Sequence, residues 1–191
     1  MDRRPNPLVM KVWEAHDCVV FHKVKENFGG LSNMSSDYPL VVDGVAIRSS
    51  EALYQAMKFP HLPEVQRAIF AERSPMAAKM KAKPHAGQVR DDWEAVKLDV
   101  MRWCLRVKLA QHPHRFGDLL QATGERAIVE RSHKDRFWGA VPAEPGALVG
   151  INLLGLLLVE VRELVRDEGP GGVTAARHRS HATGLRLGPP T

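Results

Sequence analysis

Apolar positions recur at strand or helix spacing over short stretches of this chain, and Gly and Pro punctuate them. VVFHKV at 19–24 alternates enough for a short strand. PLVVDGVAI at 39–47 reads as two short strands around Asp43-Gly44, a hairpin signal. Ser49 and Ser50 then offer N-caps for a helix with Glu51 in its first turn, which Pro60 and Pro63 end. A second helix is expected over 63–72, and a third, MAAKMKA, follows Ser74-Pro75 with proline at the first helical position. KAKPHAGQVR at 81–90 reads as a polar loop. From 93 to 111 a long helix is expected: Val96, Val100, Trp103 and Val107 form one apolar row and Met101, Leu105 and Leu109 its neighbour. Pro113 closes that helix, and another covers 116–122 before Thr123-Gly124. AIVE at 127–130 suggests a strand, 132–150 is a loop rich in Gly and Pro, and the last helix spans 152–166. No stretch repeats another.

The pattern predicts an α+β fold, a helix-rich single domain with a small β-sheet, over 13–166. A flexible arm at 1–12 precedes it. A basic tail at 167–191, dominated by Gly, Pro, Arg and His with few apolar residues, reads as disordered.

The helix SEALYQAMKF at 50–59 breaks the pattern in one respect. Leu53, Tyr54, Ala56, Met57 and Phe59 make it apolar nearly all round, as in a buried helix. Yet Glu51, Gln55 and Lys58 fall at i, i+4 and i+7, a single polar stripe. Each has an ordinary explanation, because an acid at a helix start and a base near its end both complement the macrodipole. That explanation does not say why both lie on one stripe of a mostly apolar helix with Gln55 between them. Buried unpaired charge is costly, so such groups are paired, exposed or functional.

Composition changes the picture little. At 191 residues with 44% hydrophobic positions, the chain suits one domain with a substantial core. Net charge is +5, which favours anionic partners without choosing between nucleic acid and phosphorylated small molecules. Basic stripes with interleaved aromatics, the mark of a DNA reader, are missing from the sequence. Cys18 and Cys104 make neither a disulfide framework nor a metal spacing. The N-terminal residues hold no apolar run of signal-peptide length, and NLLGLLLVEV at 152–161 is too short to span a bilayer, so a cytoplasmic protein with no membrane partner is expected.

Other chemistry is sparse. DRFWG at 135–139 sets Phe137 and Trp138 beside Asp135 in a Gly-rich loop, either a stacking wall edged by a carboxylate or a loop anchored by Trp138. Asn33 follows Gly29-Gly30-Leu31-Ser32 and reads equally as a turn residue. Lys79, Lys81, Lys83 and Arg90 suit a phosphate or a solvated loop. His112-Pro-His114 lacks the i, i+4 spacing of a metal pair. No P-loop, dinucleotide fingerprint or nucleophile elbow occurs, so neither a metal nor a cofactor is expected.

Taken in order, these segments resemble the NADAR (YbiA-like) family of N-glycosidases. The likeness runs from about Val19 to Leu164 through FHKVKENFGGLSNM, YPLVVDGVAIRSSEALYQAMKF, SPMAAKMKAKP, DDWEAVKLDVMRWCLRVKL, LLQATGERAIVERSHKDRFWG and GINLLGLLLVEVREL. It implies cleavage of an N-glycosidic bond to ribose on an exocyclic amine, either in a phosphorylated ribosylaminopyrimidine of riboflavin synthesis or in ADP-ribosylated guanine of nucleic acid. On that reading Lys58 is the nucleophile, Glu51 the general acid/base and Gln55 a positioning donor. Trp138, with Trp93 or Phe137, stacks on the base, Asp135 holds the ribose or base edge, and Asn33 and Asn152 bond sugar or phosphate. The expected substrate is a small riboside phosphate. A DNA-directed ADP-ribosyl-guanine hydrolase and a non-catalytic ADP-ribose or nucleotide-binding module are the rival readings. The chain departs from the family at Ala52, where His is usual, and at Leu31 and Met34, where Phe is usual. Ile151 and Leu153 stand where the family carries cations that could face phosphate, so the Lys79–Arg90 stretch becomes the alternative source of positive charge.

Overall fold

The computed structural model describes residues 9–169, so the first eight residues and the expected tail beyond 169 lie outside the described residues. In chain order the strands and helices begin with β1 (Lys11–Glu14), β2 (Cys18–Phe21), β3 (Leu40–Val42) and β4 (Val45–Ile47). Four helices follow: α1 (Ser50–Ala56), α2 (Pro63–Phe70), α3 (Pro75–Ala82) and α4 (Trp93–Gln111). Then come α5 (Pro113–Gln121), β5 (Ala127–Glu130), β6 (Val141–Pro142), β7 (Ala147–Gly150) and α6 (Leu153–Glu168). The fold is α+β and helix-rich, with its strands shared among three small sheets. The chain divides into two compact units, 33–113 in one and 9–32 with 114–169 in the other.

In the 33–113 unit, β3 and β4 form the expected hairpin, pairing Leu40 with Ile47 and Val42 with Val45. Its turn residues Asp43 and Gly44 have φ of 49° and 79°, the positive values a type I′ turn demands. α1 packs on α2, α3 and α4, and α4 also packs on β3. The apolar rows foreseen in α4 are buried except at Val96, which is half-buried, and Cys104 lies between them. Gln111 closes the hairpin edge with its amide, accepting from Val41 N (2.8 Å) and donating to Val41 O (2.7 Å).

Lys108 on α4 is fully buried, its Nζ 4.3 Å from the Tyr38 ring centroid, and Tyr38 meets the His112 ring edge-on at 5.4 Å. Burial pushes the Lys108 amine down to about 7, and nearby Asp37 opposes the drop. An unfolded lysine keeps its proton up to about pH 10. Between those values the unfolded chain binds more protons than the folded one, so stability rises with pH across that window. Below pH 7 both states are protonated and the penalty is fully present. Lys108→Met is therefore expected to flatten that rise. At pH 7 it should leave stability unchanged or raise it by up to about 4 kcal/mol, read by urea unfolding at both ends of the window. A loss of stability independent of pH would contradict this.

In the other unit, β7 lies between β1 and β6, antiparallel to both, while β2 pairs in parallel with β5. Val129, Ala140 and Leu148 are buried against Trp13, Cys18 and Val20. α6 lies on β5 so closely that a Cβ at Gly155 would stand 1.9 Å from the Ile128 carbonyl oxygen. Only glycine fits there. Arg162 is buried too, its guanidinium donating to Thr123 Oγ1 (2.9 Å) and to the Arg126 carbonyl (2.8 Å).

Several boundaries move. Residues 11 and 12, expected in the arm, belong to β1. The 132–150 loop holds β6 and β7, and the 81–90 loop holds a 3₁₀ turn at Lys83–Gln88. α5 begins at Pro113, which suits the first helical position, and α6 runs to Glu168. β6, with two residues, is too short to show alternation, and β1 finds its partner only near Gly150, far along the chain.

Candidate active site

The polar stripe is split: Glu51 and Gln55 are buried on α1, while the helix expected to reach Phe59 ends at Ala56 and leaves Lys58 in the turn that follows. Ser49 caps the helix, its Oγ accepting from Ala52 N at 3.2 Å, and every residue of α1 is buried. Glu51 keeps 7% of its surface exposed and Gln55 5%, while Lys58, one turn further, is half-buried. Gln55 Nε2 donates to Glu51 Oε1 at 2.8 Å, and Lys58 Nζ donates to Gln55 Oε1 at 2.8 Å. The three side chains thus form one line, carboxylate to amide to amine. Gln55 fits only one way round, because its NH₂ has to meet the carboxylate and its oxygen the amine.

Two aromatic faces close on the same amine. Lys58 Nζ lies 5.6 Å from the ring centroids of both Tyr54 and Trp93, whose rings sit 5.1 Å apart at 55°. Tyr54 precedes Lys58 by i, i+4, a relation visible in the sequence yet not used. Burial pushes the Lys58 amine below the usual lysine range, Glu51 pulls it back up, and Lys79 on α3 pushes it down again. The net direction is down, toward a neutral, nucleophilic amine.

The Glu51 N–H donates to the Asn33 carbonyl at 3.1 Å, which places Asn33 at the start of α1. Its side chain is buried, with Nδ2 on Met101 Sδ (2.8 Å) and Oδ1 without a hydrogen-bond partner. Cys104 on α4 stands within electrostatic reach of Glu51. Burial first, and Glu51 second, push its thiol well above the ordinary range and keep it protonated. Beyond Lys58 an open groove of about 690 Å³ runs between residues 60–62 and 87–92. Its walls are tied by Arg90 N–H donating to the Lys58 carbonyl (2.9 Å), and Arg90 is held by Asp92 through two bonds of 2.5 and 2.7 Å.

Asp135, Phe137, Trp138 and Asn152 belong to the other unit. Asp135 organises its own loop: Oδ1 accepts from Phe137 N and Trp138 N, both at 2.9 Å, and its N–H donates to Ser132 Oγ at 3.0 Å. Phe137 and Trp138 meet edge-on at 5.2 Å, both half-buried. Their carbonyls accept from Leu153 N and Leu154 N, each at 3.0 Å, and Arg136 O accepts from Ile151 N at 2.7 Å. The loop therefore caps α6 and occupies the first amides a phosphate would seek there. Asn152, with φ of 57° before α6, accepts from Glu130 N (3.0 Å) and donates to Ile128 O (2.8 Å), so a ligand would have to displace a bond to β5.

Thus Glu51, Gln55, Lys58 and Trp93 gather about one amine, with Asn33 on the backbone of Glu51. Sequence reading missed Tyr54 as a partner of the amine, Cys104, and the action of Lys79 on Lys58. Among the described residues no cluster of three or more His, Cys, Asp or Glu could hold a metal, and no helix is long and apolar enough to cross a membrane.

N-glycosidase YbiA of Escherichia coli is 36% identical over 151 residues, covering 78% of this chain and 88% of that protein. N-glycosidase Npun_R5314 of Nostoc punctiforme is 30% identical over 78% of this chain and 93% of its own length. Riboflavin biosynthesis protein VVA0006 of Vibrio vulnificus is 35% identical over 80% of this chain, a match that spans 40% of that longer protein. The NMR structure of E. coli YbiA superposes with a TM-score of 0.68 at 32% identity, over 87% of this chain and 92% of that one. The NADAR domain pattern itself matches residues 20–166, and the chain belongs to the NADAR domain family.

Proposed function

We propose that this NADAR-family N-glycosidase hydrolyses the bond between a ribose phosphate and the exocyclic amine of a pyrimidine, a substrate of the riboflavin-pathway kind. The observation that supports it best is the line from the buried Glu51 carboxylate through Gln55 to the half-buried Lys58 amine. Riboside carbon on an exocyclic amine opens to an imine at C1. The neutral Lys58 amine adds to C1, the base amine leaves, and water then hydrolyses the Lys58 Schiff base to free ribose phosphate. Glu51 moves the protons: it donates to the leaving nitrogen and takes the proton of the attacking water. Gln55 holds both partners at fixed distance, and the Tyr54 and Trp93 faces confine the amine. The roles proposed for Asn33, Asp135, Phe137, Trp138 and Asn152 rest on the family resemblance. The name of the Vibrio vulnificus relative supports the riboflavin branch.

The test offers purified protein a ribosylaminopyrimidine phosphate, its dephosphorylated form and ADP-ribosylated guanine DNA, with free base read by mass spectrometry. Base release from the ribosylaminopyrimidine is the expected result. Release from the DNA alone would move the activity to the ADP-ribosyl-guanine branch. Binding with no release from any of the three would favour a non-catalytic nucleotide-binding module.

A further inference from the structure

The groove beside Lys58 is not used by the cleavage chemistry. It holds about 690 Å³, the size of a small-molecule site, and its walls are the chain that directly flanks the reactive amine. One wall, Pro60, His61 and Leu62, begins two residues after Lys58, and the other, 87–92, ends one residue before Trp93. Two backbone bonds fix both walls to the site: Arg90 N–H donates to Lys58 O (2.9 Å), and Trp93 N–H donates to Arg90 O (3.1 Å). Trp93 in turn holds its ring centroid 5.6 Å from the Lys58 amine. The polar groups along the groove suit a neutral ligand rather than an anion. The Arg90 guanidinium is spent on Asp92, through bonds of 2.5 and 2.7 Å. Asp91 makes no ion pair among the described residues, so its carboxylate is the charge left over on the lining. Gln88 Oε1 accepts from His85 Nδ1 at 2.8 Å, with the ring proton assigned there, and His85 is braced edge-on against buried Phe59 at 6.0 Å. That leaves Gln88 Nε2 as the donor.

We propose that this groove is the subsite for the aminopyrimidine base, with Asp91 accepting from an amino group of the base and Gln88 Nε2 donating to a ring carbonyl. This rests on the glycosidase reading of Lys58. A carboxylate suits an exocyclic amine, as it does on the cytosine edge, and an amide N–H suits a keto oxygen. A pyrimidine with an amino group beside a ring carbonyl meets both residues at once. A sugar phosphate would instead meet two carboxylates against one guanidinium already bonded to one of them. Asp91 and Gln88 therefore select the base, and they act on its binding rather than on the step that breaks the bond.

Calorimetry with diaminouracil, a free base that needs no turnover, and with ribose 5-phosphate tests this in the parent, Asp91→Ala and Gln88→Ala. Both side chains are exposed, so both variants are expected to fold. The parent should bind diaminouracil and each variant should bind it about tenfold more weakly, with ribose 5-phosphate binding unchanged. In turnover of the riboside phosphate, KM should rise about tenfold in each variant while kcat is kept. Base binding that weakens in the variants of a protein that cleaves no riboside would keep the subsite and discard the glycosidase reading. No binding of diaminouracil by the parent, equal binding by all three proteins, or a loss confined to ribose 5-phosphate would overturn the subsite, whatever the turnover.

Discussion

Lys58→Ala is expected to lower kcat for base release by about a thousandfold or more while the protein stays folded. The side chain is half-buried and makes one hydrogen bond, to Gln55, so its removal costs about 1 kcal/mol of stability. Without the amine no Schiff base forms, and the reaction falls back on whatever Glu51 alone achieves by protonating the base. Lys58→Arg should not restore the rate, since a guanidinium stays protonated and adds poorly to carbon. Mass-spectrometric release rates, with circular dichroism to confirm folding, settle the matter. Full turnover in Lys58→Ala would remove the covalent step and leave direct hydrolysis by Glu51.

Glu51→Gln carries the second large effect, a fall in kcat of about 10²–10⁴-fold from loss of the proton carrier. Glutamine has the same shape and still accepts the hydrogen bond from Gln55 Nε2, so the line to Lys58 survives. The sign of the accompanying pH change distinguishes this from a collapsed site. Glu51 holds the Lys58 amine pKa up, so its neutralisation lets that pKa fall further. The acid limb of the residual activity should therefore move to lower pH. A residual profile that stays in place, or moves up, would mean that the carboxylate does not act on the amine.

The helix carrying Glu51 and Gln55 could be read from the chain because its signals are local, although it ends at Ala56, one turn before the proline expected to close it. Ser49 before Glu51, the spacing of Glu51, Gln55 and Lys58, and the proline after Phe59 lie within a dozen positions. α4, with two apolar rows over five turns, was equally plain. Its partners were not. Lys79 acts electrostatically on Lys58 only because α3 folds back on α1, and no periodicity within either helix records that. β1 and β7 escaped for the same reason, since they pair with each other from distant parts of the chain. Asp135 and Asn152 mark a different limit. The family resemblance casts both as ligand-facing, and in the structure both hold backbone: Asp135 the amides of Phe137 and Trp138, Asn152 the edge of β5. A polar residue in a Gly-rich loop has local amides to satisfy, and the sequence does not reveal which demand it meets.

Reductive trapping tests the central claim most directly. The protein would be mixed with the ribosylaminopyrimidine phosphate and sodium borohydride during turnover, digested, and its peptides weighed. The account predicts an open-chain ribose phosphate joined through a secondary amine to Nζ of Lys58, absent from Lys58→Ala. Undiminished base release with no adduct on Lys58, or an adduct on another lysine such as Lys79, would contradict it.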